Sequence, residues 1–245
     1  MVLSCPIGMA GRGPIPGVRI QDAAELPEAF AALGLAGPRP VLVLVGGAAN
    51  LDQQLAYPLL NLFESLAPWL QRTGTVVIDG GTAYGVMELI GLARRRTGNL
   101  FPLVGVAAIG TVEVPSPEVG VPTGTSVLDP NHSHFILVPG CRWGDESPWI
   151  SAAAEALADG MPTLTLVAAG GNVTGLDVTW SLRAGRPVGV IAGTGGTADR
   201  LADWGRGGDP PTGMALGEKD LRLIRTLALE DPGGVGDLIC EILGP

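Results

Sequence analysis

The sequence predicts an α/β fold, doubly wound, with a mainly parallel sheet and helices on both faces. Short apolar runs rich in β-branched residues alternate with helical patterns along the 245-residue chain. These runs are continuously apolar, as is typical of parallel strands that are covered on both faces. With 46% hydrophobic and 16% charged residues, the chain is predicted to be folded despite its 38 Gly and 21 Pro.

Six strands and five helices form the predicted core, about residues 38–205. The strands are 40–45, 75–78, 102–107, 134–138, 162–168 and 187–192, and the helices are 53–72, 82–97, 146–159, 173–184 and 196–204. An edge strand over 18–21 comes first, followed by a helix over 23–33 that Asp22 caps, with Glu25 three residues on. A Gly- and Pro-rich link (205–217) and a helical pair (218–229 and 234–243) complete one domain, residues 1–245. The long connection 110–131 is typical of a functional lid.

Charge and cysteine content restrict the function. The net charge is −9, and the one dense basic group, at Arg94, Arg95 and Arg96, ends a predicted helix, so we expect no nucleic-acid binding. No apolar run approaches the roughly 18–20 residues that span a bilayer, so we expect no membrane insertion. Three widely spaced cysteines predict neither a disulfide framework nor a zinc site, and a cytoplasmic location is expected.

Four glycine clusters each follow a predicted strand and open a helix. They are Gly46-Gly47-Ala48, Gly80-Gly81-Thr82, Gly170-Gly171-Asn172 and residues 193–197 (GTGGT). The carboxyl ends of parallel strands meet at one edge of a sheet, where ligands bind near the reversal of strand order. Backbone N–H groups and helix N-termini bind phosphate there without Lys or Arg. Tight turns and close packing also select glycine, but four such loops together favour phosphate or nucleotide binding.

The loops depart from two common nucleotide-binding patterns. Neither GGAANL nor GGTAYG has the G-x-G-x-x-G spacing, and no acidic residue clearly ends the next strand. No G-x-x-x-x-G-K-[ST] motif is present, because the only Lys is Lys219. A classical dehydrogenase and a P-loop NTPase are therefore not expected.

Four segments together resemble the SLOG superfamily, and within it the prokaryotic relatives of the TRPM channel N-terminal (LSDAT-type) domain. They are residues 76–89 (VVIDGGTAYGVMEL), 128–138 (LDPNHSHFILV), 164–173 (LTLVAAGGNV) and 187–199 (PVGVIAGTGGTAD). The resemblance implies a Rossmann-like fold that binds ADP-ribose or a cyclic ADP-ribose-like ligand, as a sensor or signalling module. No additional cofactor is expected. A homodimer and a separate effector protein are the expected partners.

The resemblance assigns the ligand to the glycine loops. The first phosphate loop would comprise Gly46, Gly47 and Ala48, and the second Gly80, Gly81, Thr82 and Gly85. The remainder of the ligand would contact Gly171, Asn172, Gly193, Thr194, Gly195 and Gly196.

The superfamily also contains phosphoribohydrolases of the cytokinin-activating type, with a PGG-x-GT-x-x-E motif whose Glu is catalytic. The corresponding segment here, GTGGTAD, has no Glu three residues beyond its Gly-Thr pairs. The nearest candidate catalytic residues are Asp199 and Glu88, so a binding module is favoured over an enzyme. A nucleotide N-glycosidase or phosphoribohydrolase remains one alternative, and a ligand-free interaction scaffold is another.

The segment around two histidines and the loop after the next strand hold further candidates. His132 and His134 in an H-x-H pattern are interpreted as packed, hydrogen-bonded residues rather than as half of a metal site, although His132 would touch a ligand. Arg142 and Trp143 would hold phosphate and stack a base. Asp79 would fix the second glycine loop by hydrogen bonding.

Overall fold

The computed structural model describes residues 1–9, 13–48, 51–98, 100–113 and 126–244. The strands are β1 (Leu3–Ser4), β2 (Gly17–Arg19), β3 (Val41–Gly46), β4 (Val76–Asp79), β5 (Leu103–Ala108), β6 (Val112–Glu113), β7 (Ser126–Val127), β8 (His134–Val138), β9 (Thr163–Ala168), β10 (Val188–Ala192) and β11 (Ile224–Ala228). The helices are α1 (Leu26–Ala32), α2 (Gln53–Thr73), α3 (Gly85–Thr97), α4 (Ser147–Ala158), α5 (Asn172–Arg183), α6 (Gly196–Gly205), α7 (Glu218–Leu221) and α8 (Pro232–Leu243). A 3₁₀ turn, Ala23–Glu25, precedes α1.

Nine of these strands form one sheet in the order β1-β2-β8-β5-β4-β3-β9-β10-β11. Only β1 pairs antiparallel to its neighbour. The chain moves from β3 outward through β4 and β5 to β8, and then returns to the other side of β3 with β9. The strand order therefore reverses between β3 and β9, where Gly46 pairs with Ala168. Open α/β sheets bind ligands in the crevice at this reversal.

Each face of the sheet carries its own apolar core, which explains the continuously apolar strands. Val41, Val43 and Val45 of β3 belong to a core that includes residues of α1, α4, α5 and α6. Leu42 and Leu44 belong to the opposite core, which includes residues of α2, α3 and α8. The predicted fold class, an α/β fold with a mainly parallel sheet and helices on both faces, is confirmed.

The predicted helix over 218–229 is wrong. Only Glu218–Leu221 is helical, and the chain then forms β11, which pairs in parallel with β10 through five residues. Tertiary pairing overrides a weak local helical pattern there. The second helix of the predicted pair is present as α8, and it follows Asp231, whose carboxylate accepts a hydrogen bond from the Gly234 N–H at 3.0 Å.

The N-terminal prediction is confirmed in part. The strand predicted over 18–21 is present as β2, but β1 covers its outer side, so β2 is not the edge strand. Asp22 caps the following turn by accepting a hydrogen bond from the Ala24 N–H at 2.9 Å. The Glu25 carboxylate accepts from the Gln21 N–H at 3.1 Å.

The long connection 110–131 contains more regular structure than predicted. Its two ends form β6 and β7, which pair in parallel. Residues 114–125, the centre of the predicted lid, lie outside the described residues. Within the described ranges, no helix has the length and apolar character needed to cross a membrane.

Candidate functional site

A cavity of about 1050 Å³ opens at the carboxyl edge of the sheet, where the strand order reverses. All four glycine clusters contribute residues to its wall. The volume lies at the upper end of the range for sites that bind small molecules and cofactors. Parallel topology therefore brings together loops that are far apart in the sequence.

The first two loops divide into residues that line the cavity and residues that pack behind it. Gly46, Gly47, Ala48, Gly80 and Thr82 line the cavity. Two of the predicted binding residues, Gly81 and Gly85, are not part of this wall. A Cβ at Gly81, where φ is 72°, would lie 2.8 Å from the Gly105 Cα, and a Cβ at Gly85 would collide with the Gly47 carbonyl oxygen. Close backbone contact explains glycine at both positions.

The third and fourth loops lie on the other side of the reversal. The predicted residues that line the cavity here are Gly171, Asn172, Gly193, Thr194, Gly195 and Gly196. The Thr194 hydroxyl donates to the Ile191 carbonyl oxygen at 2.6 Å and accepts from the Ala169 N–H at 2.7 Å, so it braces its own loop.

Two glycines of the wall have no structural reason to lack a side chain. Neither Gly80 nor Gly171 has a positive φ, and a Cβ at either position would meet no atom within 4 Å. Folding would therefore tolerate a Cβ, as in alanine, at both sites. Glycine at these two positions keeps the cavity open.

Three helices begin at the cavity without a side-chain cap. The N-cap residues of α3, α5 and α6 are Tyr84, Gly171 and Gly195, and none of them makes a side-chain capping bond. By contrast, the Asp52 carboxylate caps α2 by accepting from the Gln54 N–H at 2.9 Å. The first N–H groups of a helix have no partner within the helix and attract anions. At α6 the Thr197 and Ala198 N–H groups donate to carbonyl oxygens at the third glycine loop, at 2.8 and 3.0 Å. The start of α5 is therefore the helix end most consistent with a ligand that accepts hydrogen bonds.

The described residues of the cavity wall include no Lys, Arg or His, but they include four carboxylic acids. Asp52 caps α2, the Asp199 carboxylate accepts from the Gly193 N–H at 2.7 Å, and the Glu146 carboxylate accepts from the Gly144 N–H at 3.0 and 3.1 Å. These three acids are engaged by backbone groups. The fourth, Asp177, is buried, and burial raises its pKa to about 7.

His132 does not reach the cavity but lies fully buried behind the second glycine loop. Its Nε2 lies 2.8 Å from the Asp79 Oδ1, and its Nδ1 lies 2.8 Å from the Asp129 Oδ2. Burial lowers the pKa of His132, but the charge of Asp79 and the hydrogen bonds to both carboxylates together raise it to about 9. The Asp79 Oδ1 also accepts from the Gly81 N–H at 2.7 Å. A buried imidazolium thus holds the carboxylate that fixes the second loop, as proposed for Asp79.

The remaining predicted candidates lie elsewhere. The Arg142 side chain is 84% exposed and 4.0 Å from Asp145, and it does not line the cavity, whereas its neighbour Trp143 does. His134 is separate from His132, with its Nδ1 2.8 Å from the Ser133 Oγ. Glu88 is not part of the wall. Within the described parts of the chain, no three His, Cys, Asp or Glu side chains form a group that could hold a metal ion.

Sequence reasoning did not single out Asp177. Thr174 and Ser181, three residues before it and four after it on the same helix face, are both buried. An acidic residue on the buried stripe of a helix next to a glycine loop is a candidate site residue.

The fold, with its glycine-lined cavity at the strand reversal, is that of a Rossmann-like α/β domain. The chain belongs to the family described as "SLOG in TRPM, prokaryote", whose model matches residues 39–230. The match includes β11, which lies outside the predicted core.

Individual relatives are similar over most of the chain. The mouse transient receptor potential cation channel subfamily M member 2 is 29% identical over 205 residues, which cover 69% of this chain but only 13% of the channel subunit. The molybdenum cofactor carrier protein of Chlamydomonas reinhardtii superposes with a TM-score of 0.55 at 14% identity, over 83% of this chain and 97% of that one. The molybdenum cofactor binding protein of Rippkaea orientalis gives 0.53 at 13% identity, over 83% and 96%. At such identities, these two structures establish the shared fold alone.

Proposed function

We propose that this protein binds a nucleotide-derived small molecule of the ADP-ribose or cyclic ADP-ribose type, and that it acts as a sensor or signalling module. The observation that carries the proposal is the pair of wall glycines, Gly80 and Gly171, which neither backbone strain nor packing requires. Their lack of side chains leaves room for a ligand against the loops. The family membership supports the same class of function.

The uncapped helix ends would bind the diphosphate. The first-turn N–H groups of α5, after Gly171, and the Gly196 N–H at the start of α6 would donate to phosphate oxygens. The Thr197 and Ala198 N–H groups of α6 and the Val86 N–H of α3 already donate to carbonyl oxygens of neighbouring loops. Thr82 would add a hydroxyl donor. This arrangement needs no cationic side chain, in keeping with a wall whose described residues include none.

Two observations favour binding over hydrolysis. The Asp199 carboxylate is engaged by the Gly193 N–H, and Glu88 lies outside the cavity wall. A general acid or base must reach the proton that it transfers. Release of free base or ribose phosphate from AMP, NAD or ADP-ribose would instead identify the protein as a nucleotide N-glycosidase or phosphoribohydrolase.

Calorimetric titration and thermal unfolding with ADP-ribose, cyclic ADP-ribose and AMP test the proposal. Saturation at 100 times Kd would add about 2.7 kcal/mol to the free energy of unfolding. A Gly171→Val variant should fold normally and lose this stabilisation, because its side chain occupies the cavity. Gly217→Val is the matched control, since a Cβ at Gly217 likewise meets no atom within 4 Å but Gly217 lies outside the cavity.

Full ADP-ribose affinity in Gly171→Val would contradict the proposed site. The titration should include molybdenum cofactor, because two proteins of the same fold are named for it. Tight binding of that cofactor without any binding of nucleotides would identify the cofactor, rather than a nucleotide, as the ligand. Stabilisation by no ligand would favour the interaction scaffold.

We propose a cytoplasmic homodimer that passes its ligand-bound state to a separate effector protein. Light scattering at micromolar concentration tests the dimer, and a monomeric mass would remove it from the account.

A further inference from the structure

The strand β11 is the last strand of the sheet and presents one side of its backbone outward. It pairs with β10 one residue against one from Ile224 to Ala228, without a bulge. The Val188 N–H donates to the Leu223 carbonyl oxygen at 2.8 Å, which fixes the phase of this parallel ladder. Alternate residues of β11 therefore bond to β10, and the others direct their N–H and C=O groups away from the sheet. The outward residues are Ile224, Thr226 and Ala228.

Thr226 is the central residue of this edge, and it is exposed. Neither its backbone N–H nor its C=O has a hydrogen-bond partner among the described residues. The Ala228 carbonyl oxygen accepts from the Asp231 N–H at 3.1 Å, so the chain turns away after the strand. A row of outward N–H and C=O groups is a template on which another strand can pair.

The usual devices that protect a sheet edge are few at β11. Proteins blunt such an edge with proline, lysine, a bulge or a very short strand. The strand β11 has five residues and contains neither proline nor lysine. Its one charged side chain, Arg225, folds back along its own strand, where Nη1 donates to the Arg222 and Ile224 carbonyl oxygens at 2.9 and 3.3 Å. The backbone of Thr226 therefore stays accessible.

The charges beside β11 favour a second copy of this strand as its partner. Arg222 and Arg225 lie at the amino end, Glu230 and Asp231 lie at the carboxyl end, and all four are exposed. Antiparallel pairing of two copies places the positive end of each strand beside the negative end of the other, whereas parallel pairing would bring like charges together. A closed two-fold dimer also requires the antiparallel arrangement.

The central position of Thr226 determines the register. A two-fold axis at Thr226 places it opposite the partner's Thr226 and places Ile224 opposite the partner's Ala228. All three outward residues are then paired, whereas an axis at either neighbouring residue would pair only two of them. In the same register, Arg222 lies at the level of the partner's Glu230.

We propose that β11 is the dimerisation edge of this protein, where two copies pair antiparallel across a two-fold axis at Thr226 and their sheets become continuous. This inference rests on the homodimer of the proposed function and adds its interface. Backbone hydrogen bonds between the two edges hold the dimer, and the charges at the strand ends select its orientation.

Cysteine cross-linking of the full chain tests the register. Directly opposite residues of a hydrogen-bonded antiparallel pair have Cα atoms about 5.5 Å apart, a distance that a disulfide can span. Thr226→Cys should therefore give a disulfide-linked dimer on a non-reducing gel after mild oxidation. The variant is made in a Cys141→Ser background, because Cys141 is exposed.

Ala228→Cys in the same background is the matched control. Ala228 is also exposed and outward on β11. In the proposed register, however, its two copies lie roughly 13 Å apart along the ladder, too far for a disulfide. Ala228→Cys should therefore run as a monomer on the same gel.

Sedimentation equilibrium of three further variants tests the contacts. Thr226→Pro removes an outward N–H and leaves the bonds to β10 intact, so it should fold and its dimer dissociation constant should rise at least tenfold. Thr226→Val keeps the N–H and should dimerise like the wild type. Arg222→Glu should weaken the dimer about tenfold, because it places like charges together at both ends, and adding Glu230→Arg to the same chain should restore the affinity.

The outcomes separate the interface from the dimer. A dimeric wild type in which Thr226→Cys does not cross-link, or in which Ala228→Cys cross-links equally, would overturn the interface while the dimer stands. Failure of Glu230→Arg to restore the affinity of Arg222→Glu would also contradict the proposed orientation. A monomeric wild type would remove the dimer and this inference together, whereas ADP-ribose binding is measured separately and does not depend on either result.

Discussion

The buried His132 makes a measurable prediction about stability at alkaline pH. His132 lies between Asp79 and Asp129, and its pKa is raised from the ordinary 6.5 to about 9. Because the folded state holds the proton more tightly than the unfolded chain, the stabilisation is fully present below pH 6.5. It is lost as the pH rises through 9. Between pH 7 and pH 10 the folded protein should lose roughly 2–3 kcal/mol of stability from this group.

Urea unfolding at pH 7, 8, 9 and 10 measures this loss. A His132→Gln variant should start less stable at pH 7, because it lacks the imidazolium between two carboxylates. Its free energy of unfolding should also fall less between pH 7 and pH 10, because it has no imidazolium to deprotonate. His134→Gln is the matched control: burial, with the charge of Arg94, lowers the His134 pKa to about 4, so its proton linkage lies below this pH window. Parallel loss of stability in the wild type and His132→Gln would refute the buried imidazolium.

Two further predictions concern residues that the resemblance assigned to the ligand. Gly81→Val should destabilise the protein by more than about 1 kcal/mol, because φ is 72° and a Cβ would approach the neighbouring strand. Gly80→Val should unfold at the same urea concentration as the wild type and lose only ligand affinity. Equal midpoints for the two variants would contradict this distinction. Arg142→Ala should bind ADP-ribose in calorimetry with unchanged affinity, because its side chain is 84% exposed and does not line the cavity; a tenfold loss would place the arginine at the ligand.

The fold could be predicted where a segment is buried on both faces. Strands such as β3 are continuously apolar because helices cover both sides, so no long-range information is needed to recognise them. The strand β11 lies at the sheet edge, and of its residues only Ile224 is buried. Its pairing with β10 depends on contacts between segments distant in the sequence, which no local pattern contains.

The position of the candidate cavity could also be predicted, but not which of the predicted residues line it. The glycine loops meet at one edge because all central strands are parallel, and this follows from the alternation of strands and helices. Whether a glycine faces the cavity or packs behind it depends on residues that are distant in the sequence. Gly81, for example, packs closely against Gly105 of β5. His132 could not be assigned for the same reason, because its partner Asp79 lies 53 residues away in the sequence.

The central claim is that backbone N–H groups at uncapped helix ends hold a diphosphate in the cavity at the strand reversal. A crystal structure of the protein soaked with ADP-ribose tests it most directly. We expect diphosphate oxygens within hydrogen-bonding distance of the first-turn N–H groups of α5 and of the Gly196 N–H, beside Gly171 and Gly195. A fully occupied ligand elsewhere on the protein, with this cavity unoccupied, would contradict the account.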